Sequence, residues 1–242
     1  MDRVPLPAVL NEVSGLALDA AGVLLSIADE EGLIYRIAPA TGEVHLHAEI
    51  GNPPVKADFE GLAVKDGALF ALTSKGHIYQ LGPDRGDYRR HKTGLADECE
   101  FEGLAADPQA PQLWLLCKIV YRKKHRDKLV IYKWNVVEEA LVDEERLRVE
   151  FRDLGFKRRL APSGLAFDVD GEHVVVIAAK EQAYVRLTRD GRRTHHGHLP
   201  ALDAHPQAEG IAVTADGVFI ADERGRAPAS LTRYTPRFWM VQ

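Results

Sequence analysis

"DFEGLAV" (residues 58–64) reads as an apolar strand interrupted at one point by a carboxylate and a glycine. The phrase returns as "EFEGLAA" (100–106) and "QAEGIAV" (207–213), and with serine in the glutamate position as "EVSGLAL" (12–18) and "APSGLAF" (161–167). The motif glycines, Gly15, Gly61, Gly103, Gly164 and Gly210, stand 46, 42, 61 and 46 residues apart. After Gly210 come 32 residues and Gly15 is the fifteenth, so joining the chain ends supplies a fifth interval of 47. The repeat therefore closes as a ring of five.

A period in the forties holding several short strands is the signature of a β-propeller, in which one four-stranded blade uses about that many residues. Each unit follows this plan. The motif strand leads to a turn ("LDAAG", "VKDG", "DVDGE", "TADG"), then a second strand ("VLLSIA", "LFALT", "LWLLC", "VVVIAA", "VFIA"), then a third ("LIYRI", "HIYQL", "LVIYKW", "AYVRL", "SLTRY"). Weaker fourth strands follow in four units, "EVHLHAEI", "YRRHKTGL", "RVEFRDL" and "RTHHGHL", whereas the fifth has none and "RVPLPAV" (3–9) is left over at the N-terminus. The expected fold is all-β: one domain over residues 1–242, a five-bladed β-propeller whose N-terminal strand closes the last blade and leaves no open seam. The long 61-residue interval carries a basic stretch, "KIVYRKKHRDK", and the segment "VVEEALVDEERLRVEF", read as either a helical turn or a long hairpin.

The bulk numbers exclude several classes of function. With 45% apolar residues the 242-residue chain can bury a substantial core. A formal charge of -5 offers no overall basic footprint for nucleic acid or anionic lipid. No signal-peptide h-region and no run of about 18 apolar residues is written, so the expectation is a protein without membrane insertion, cytoplasmic as it stands, or periplasmic or secreted if a leader has been removed. Two cysteines do not make a disulfide framework. Cys99 and Cys117 fall in one blade, where they can approach each other near the top face, and are read as buried or incidental thiols. A monomer is expected.

First strands of a propeller line its central channel, so Ser14, Glu60, Glu102, Ser163 and Glu209 should form one ring. Three carboxylates about 6 Å apart at an effective dielectric near 20 repel by roughly 8 kcal/mol in all. Protonation, lysines or a cation must offset that. Calcium takes six to eight oxygen ligands in flexible geometry, and the motif contains no nitrogen or sulfur ligand, which argues for Ca2+ over zinc or copper. Two plainer readings compete. The Glu and Ser side chains could simply bond backbone groups of the next blade, or Lys75, Lys118 and Lys180, at the ends of second strands, could reach inward and neutralise them.

The order Ser, Glu, Glu, Ser, Glu resembles the calcium-activated nucleotidase (apyrase) family, five-bladed propellers with a central calcium in such a ring. In length and phrasing ("SGL … FEGLA … SG … AEGIA", and "IADER" at 220–224) the chain more closely resembles the SdiA-regulated family of bacterial propellers, over essentially its whole length. The resemblance implies calcium ligands at Ser14, Glu60, Glu102, Ser163 and Glu209. The nucleotidases would add hydrolysis of nucleoside diphosphates, but their substrate residues are matched only in type by "YRKKHRDK" and weakly by "AAKEQ" (178–182).

The top face should gather the loops entering first strands and leaving second strands. It offers Lys75, Lys118, Arg122, Lys123 and Lys180 as contacts for a small anionic ligand, and Asp29 or Glu223 as a candidate catalytic base. "HHGH" (195–198) falls on an outer strand and reads as surface, while Trp114, Trp134 and Trp239 read as packing. Three functions stand: a calcium-binding propeller recognising a small anion, which is preferred; a calcium-dependent phosphohydrolase; and a protein-interaction scaffold.

Overall fold

The computed structural model describes residues 1–142, 145–200 and 204–240. After an opening strand β1 (Asp2–Pro5), blade 1 runs β2 (Val13–Leu18), β3 (Leu24–Ala28), β4 (Leu33–Ile37) and β5 (Val44–Glu49). Blade 2 is β6 (Phe59–Lys65), β7 (Ala68–Thr73), β8 (His77–Leu81) and β9 (Tyr88–Lys92). Blade 3 is β10 (Cys99–Ala106), β11 (Gln112–Val120), β12 (Lys128–Asn135), β13 (Ala140–Leu141) and β14 (Leu147–Glu150). Blade 4 is β15 (Gly164–Phe167), β16 (His173–Ala178), β17 (Ala183–Thr188) and β18 (Arg193–His198). Blade 5 is β19 (Ala208–Val213), β20 (Val218–Asp222) and β21 (Ser230–Tyr234), with β1 as its fourth strand.

The five sheets form a five-bladed propeller, all-β apart from short 3-10 turns. Inner strands touch in the order β2, β6, β10, β15, β19 and back to β2, which closes the ring. The closure expected from the 47-residue interval is present: β1 runs antiparallel to β21, with Arg3 opposite Thr232 and Pro5 opposite Ser230.

The repeated "GLA" is explained by how neighbouring blades pack. Five apolar clusters occupy the five interfaces, and the motif leucine and alanine go to different ones. Leu62 packs with Ala17, Ile27 and Ile34 of blade 1, whereas Ala63 packs with Phe101, Leu104 and Leu115 of blade 3. The same division recurs at Leu104 and Ala105, Leu165 and Ala166, Ile211 and Ala212, and Leu16 and Ala17. The glycine is required by proximity. A Cβ on Gly61 would stand 2.8 Å from Leu104 N, and one on Gly210 would stand 3.1 Å from the Gly15 carbonyl carbon. Only glycine lets inner strands approach this closely.

Three features depart from the sequence expectation or resolve it. The long insertion of blade 3 is a hairpin: β13 and β14 both pair with β12, one at each end, so the fourth strand of that blade is divided. Cys99 and Cys117 are not free thiols; they form a disulfide between β10 and β11, since Phe101 lies opposite Cys117 in the ladder and brings the two cysteines within 5.7 Å at Cα. Sequence position allowed the two to approach in one blade, but the crosslink itself depends on the register shift beside Phe101. Lys75 lies beyond the end of β7, one residue past Ser74, and is exposed. The three tryptophans are buried packing residues, as expected.

Removing the disulfide should cost about 3 kcal/mol, because it closes a loop of 18 residues. Urea melts of the Cys99→Ala/Cys117→Ala variant against wild type test this, and an unchanged midpoint would mean the crosslink is not formed in solution.

Candidate functional site: an acidic channel mouth

Each glutamate of the motif is placed by a β-bulge. In β6, Phe59 faces Thr73 and Gly61 faces Leu72, which leaves Glu60 as the extra residue; Glu102 and Glu209 occupy the same unpaired position in β10 and β19. A bulge re-aims the side chain it carries. In blade 1 the extra residue is Gly15, with φ +69, and its carbonyl accepts a hydrogen bond from the buried Ser26 hydroxyl at 2.9 Å. The serine blades thus differ from the glutamate blades in backbone as well as side chain. Ser14 is buried beside Gly15. Ser163 is engaged in the wall, its hydroxyl donating to the Ala208 carbonyl at 2.6 Å and accepting from the Ala179 amide at 3.1 Å. For Ser163 the backbone-bonding reading describes what the side chain does.

The carboxylates fall into two groups. Glu102, 3% exposed, is ion-paired with Lys118 and lies close enough to Glu209 to share a proton. Burial is the largest influence on Glu209 and raises its pKa to about 9, with Glu102 adding repulsion and Lys118 opposing. Burial also raises Glu102, against the Lys118 ammonium, and the surrounding carboxylates hold Lys118 above its ordinary value in spite of burial. One oxygen each of Glu102 and Glu209 is buried without a donor.

The second group was not foreseen. Asp29, at the end of β3, meets Asp58 and Glu60 at the start of β6, because the Phe59 amide donates to the Asp29 carbonyl at 2.8 Å and locks the two blades in register. Among the described residues, these three form the one set of acidic, histidine or cysteine side chains whose ligand atoms all lie within 4.8 Å of one another. Burial first, then Glu102, Asp58 and Asp29, push Glu60 up to about 10; burial and then Asp58 raise Asp29 to about 7. Asp29 Oδ1 is buried without a donor, while the Ser74 hydroxyl donates to Asp58. The signal available in the sequence was the "DFE" spacing, which puts Asp58 two residues before Glu60; Asp29 needed the blade-to-blade register.

Of the five candidate anion contacts, only Lys118 enters the mouth. Arg122 is paired with Glu98 on the surface, and Lys75, Lys123 and Lys180 are exposed. Lys75 and Lys180 therefore do not neutralise the ring. Burial raises Glu223, its carboxylate accepting from Gln207 at 2.9 Å. The other end of the channel is mainly apolar: a cavity of about 250 Å³ lined by Leu16, Leu62, Leu104, Leu165 and Ile211 and by the alanines that follow them, together with Asp168, whose carboxylate is paired with Arg186 and Arg237.

No family model matches the chain, and no curated protein matches it. The two family resemblances noted above rest on motif phrasing. Solved structures do match over nearly the whole length. The glutaminyl cyclase of Myxococcus xanthus superposes with a TM-score of 0.66 at 15% identity, over 96% of this chain and 93% of that one. A gluconolactonase of Xanthomonas campestris gives 0.59 at 18% identity, over 93% and 72%. A luciferin-regenerating enzyme gives 0.58 at 12% identity, over 93% and 91%. At these identities the likeness establishes the fold alone.

The raised carboxyl pKa values set a pH dependence. The folded metal-free protein holds protons that the unfolded chain releases near pH 4, so stability falls as pH rises from about 4 through 7, where Asp29 ionises, to 9–10 for Glu209 and Glu60. Glu60→Gln, which cannot ionise, should melt higher than wild type at pH 9 in EDTA and nearly equally at pH 4. A lower melting temperature for the variant at pH 9 would contradict this electrostatic account.

Proposed function

We propose that the chain is a calcium-binding propeller that holds a divalent cation at the Asp29, Asp58 and Glu60 carboxylates and takes a small anionic ligand on the exposed side of that ion. The observation that carries the reading is the convergence of those three side chains within 4.8 Å, with a buried Asp29 oxygen lacking any donor. The donor set fits: all ligands are hard oxygens, as calcium prefers, and a cation would offset the burial and mutual repulsion that raise Glu60 and Asp29. Relative to the five-residue ring expected from the motif, the proposed ligand set moves toward blades 1 and 2 and keeps Glu60. Glu102 and Glu209 serve as the surrounding negative field, moderated by Lys118. When bound, the ion would supply a Lewis-acidic centre for an anion's oxygen.

A second reading, calcium-dependent phosphohydrolysis, is favoured by one observation. Glu223 is a half-buried carboxyl of raised pKa outside the proposed ligand set, which suits a general base. The disulfide favours an oxidising compartment over the cytosol expected from the sequence, since such bonds persist mainly outside the cytosol.

Melting of EDTA-treated protein with and without added calcium tests the binding reading. Calcium should raise the melting temperature of wild type at pH 7.5 and leave Asp29→Asn/Glu60→Gln unmoved; a wild type indifferent to calcium would refute it. A phosphate-release screen over nucleoside di- and triphosphates, run on wild type and Glu223→Gln, separates the two readings. Calcium-dependent turnover lost in Glu223→Gln would favour the hydrolase.

A further inference from the structure

The loop joining β14 to β15 carries "GFKRRL" (155–160), and it divides two cavities between blades 3 and 4. One, of about 460 Å³, is bounded by Phe156, Leu160 and Ala183 with His196 and His198 of β18 behind them. The other, of about 670 Å³, is bounded by Phe151 and Phe156 with Arg152 and Lys180. Both are lined by Lys157, Arg158 and Arg159. The acids here are already engaged. Asp127 faces Arg159 at 3.8 Å, Glu150 faces Lys128 at 3.1 Å, and Glu181 accepts the Ala161 amide at 2.9 Å. Among the described residues Lys157, Arg158 and Lys180 have no ion-pair or hydrogen-bond partner.

The loop is held in place. Gly155 turns at φ +91, Phe156 meets the His196 ring edge to face at 5.6 Å, and the buried Leu154 and Leu160 root the segment in the cluster between blades 3 and 4. Uncommitted cations therefore sit on an anchored segment beside an apolar floor. Cavities of this size take small organic ligands, and guanidinium with ammonium groups favour oxyanions.

We infer that this groove binds an organic oxyanion, a phosphate, sulfonate or carboxylate head carried on an aromatic or acyl body, with Lys157, Arg158 and Lys180 holding the head and Phe156 and Leu160 the body. The site is separate from the proposed cation site and needs no metal.

Fluorescence titration with 8-anilinonaphthalene-1-sulfonate, which combines such a head and body, tests the inference on the full chain in EDTA. Saturable binding is expected, weakened at least tenfold by Lys157→Glu/Arg158→Glu and by Phe156→Ala, and unaffected by Glu60→Gln. Thermal melts of each variant verify folding, and the milder Lys157→Ala/Arg158→Ala keeps the comparison open if charge reversal misfolds. Equal affinity in wild type and the alanine pair would overturn the inference, as expected if the dye enters the apolar end of the channel instead. Loss in Glu60→Gln alone would also overturn it, because binding would then depend on the channel mouth and not on this groove.

Discussion

Everything at the centre of this molecule follows from the close approach of neighbouring inner strands at the motif glycines. Where Gly61 lies against Gly103 and Leu104, and Gly210 against Gly15 and Leu16, no side chain fits between blades. The residues on either side must therefore go elsewhere. The leucine fills the interface behind, the alanine meets the blade ahead, and the preceding residue is turned by its bulge away from the sheet's own ladder. A carboxylate at that last position in three blades is crowded against its counterparts because the backbone beside it is packed so tightly.

That crowding sets the electrostatics. Glu102 interacts with both Glu60 and Glu209, and Asp29, Asp58 and Glu223 add further negative charge, against Lys118 as the opposing cation among the described residues. One ammonium ion offsets Glu102 and moderates Glu209. At Glu60 and Asp29, burial and the neighbouring carboxylates outweigh it and raise both groups. The two halves of the mouth consequently have different chemistry: one contains the Lys118–Glu102 ion pair, and the other is a set of three crowded carboxylates with no ammonium among them.

The ring of five blades and its closure by the N-terminal strand were legible in the sequence because they depend on period and on strand count, both of which survive any uncertainty about register. The convergence of glutamates was legible for the same reason. What was not legible depended on single-residue offsets. Lys75 and Lys118 look equivalent as basic residues after a second strand, yet Ser74 occupies the position from which Lys118 reaches inward, and one residue of slip sends Lys75 to the surface. The Asp29 to Glu60 contact needs the hydrogen bond between the Phe59 amide and the Asp29 carbonyl, which crosses between blades. The disulfide likewise depends on the irregular register around Phe101.

A repeat of this kind separates structural from chemical positions. Glycine, a leucine or isoleucine, and alanine recur in every blade at the interfaces, so the residue before the glycine and the residue at the end of the second strand are where one blade can differ from another without loss of packing. The differences found there are large: Asp29 in blade 1, Ser74 in blade 2, Lys118 in blade 3 and Glu223 in blade 5 face a common channel mouth from a nearly fivefold backbone. The serine of blade 4 shows the other use of such a position, since Ser163 spends its hydroxyl on two backbone groups and joins blade 4 to blade 5. The acidic pocket sits at blades 1 and 2, where Asp29 and Asp58 join Glu60, while the ammonium from blade 3 is ion-paired with Glu102 and opposes the burial and repulsion at Glu60 only in part.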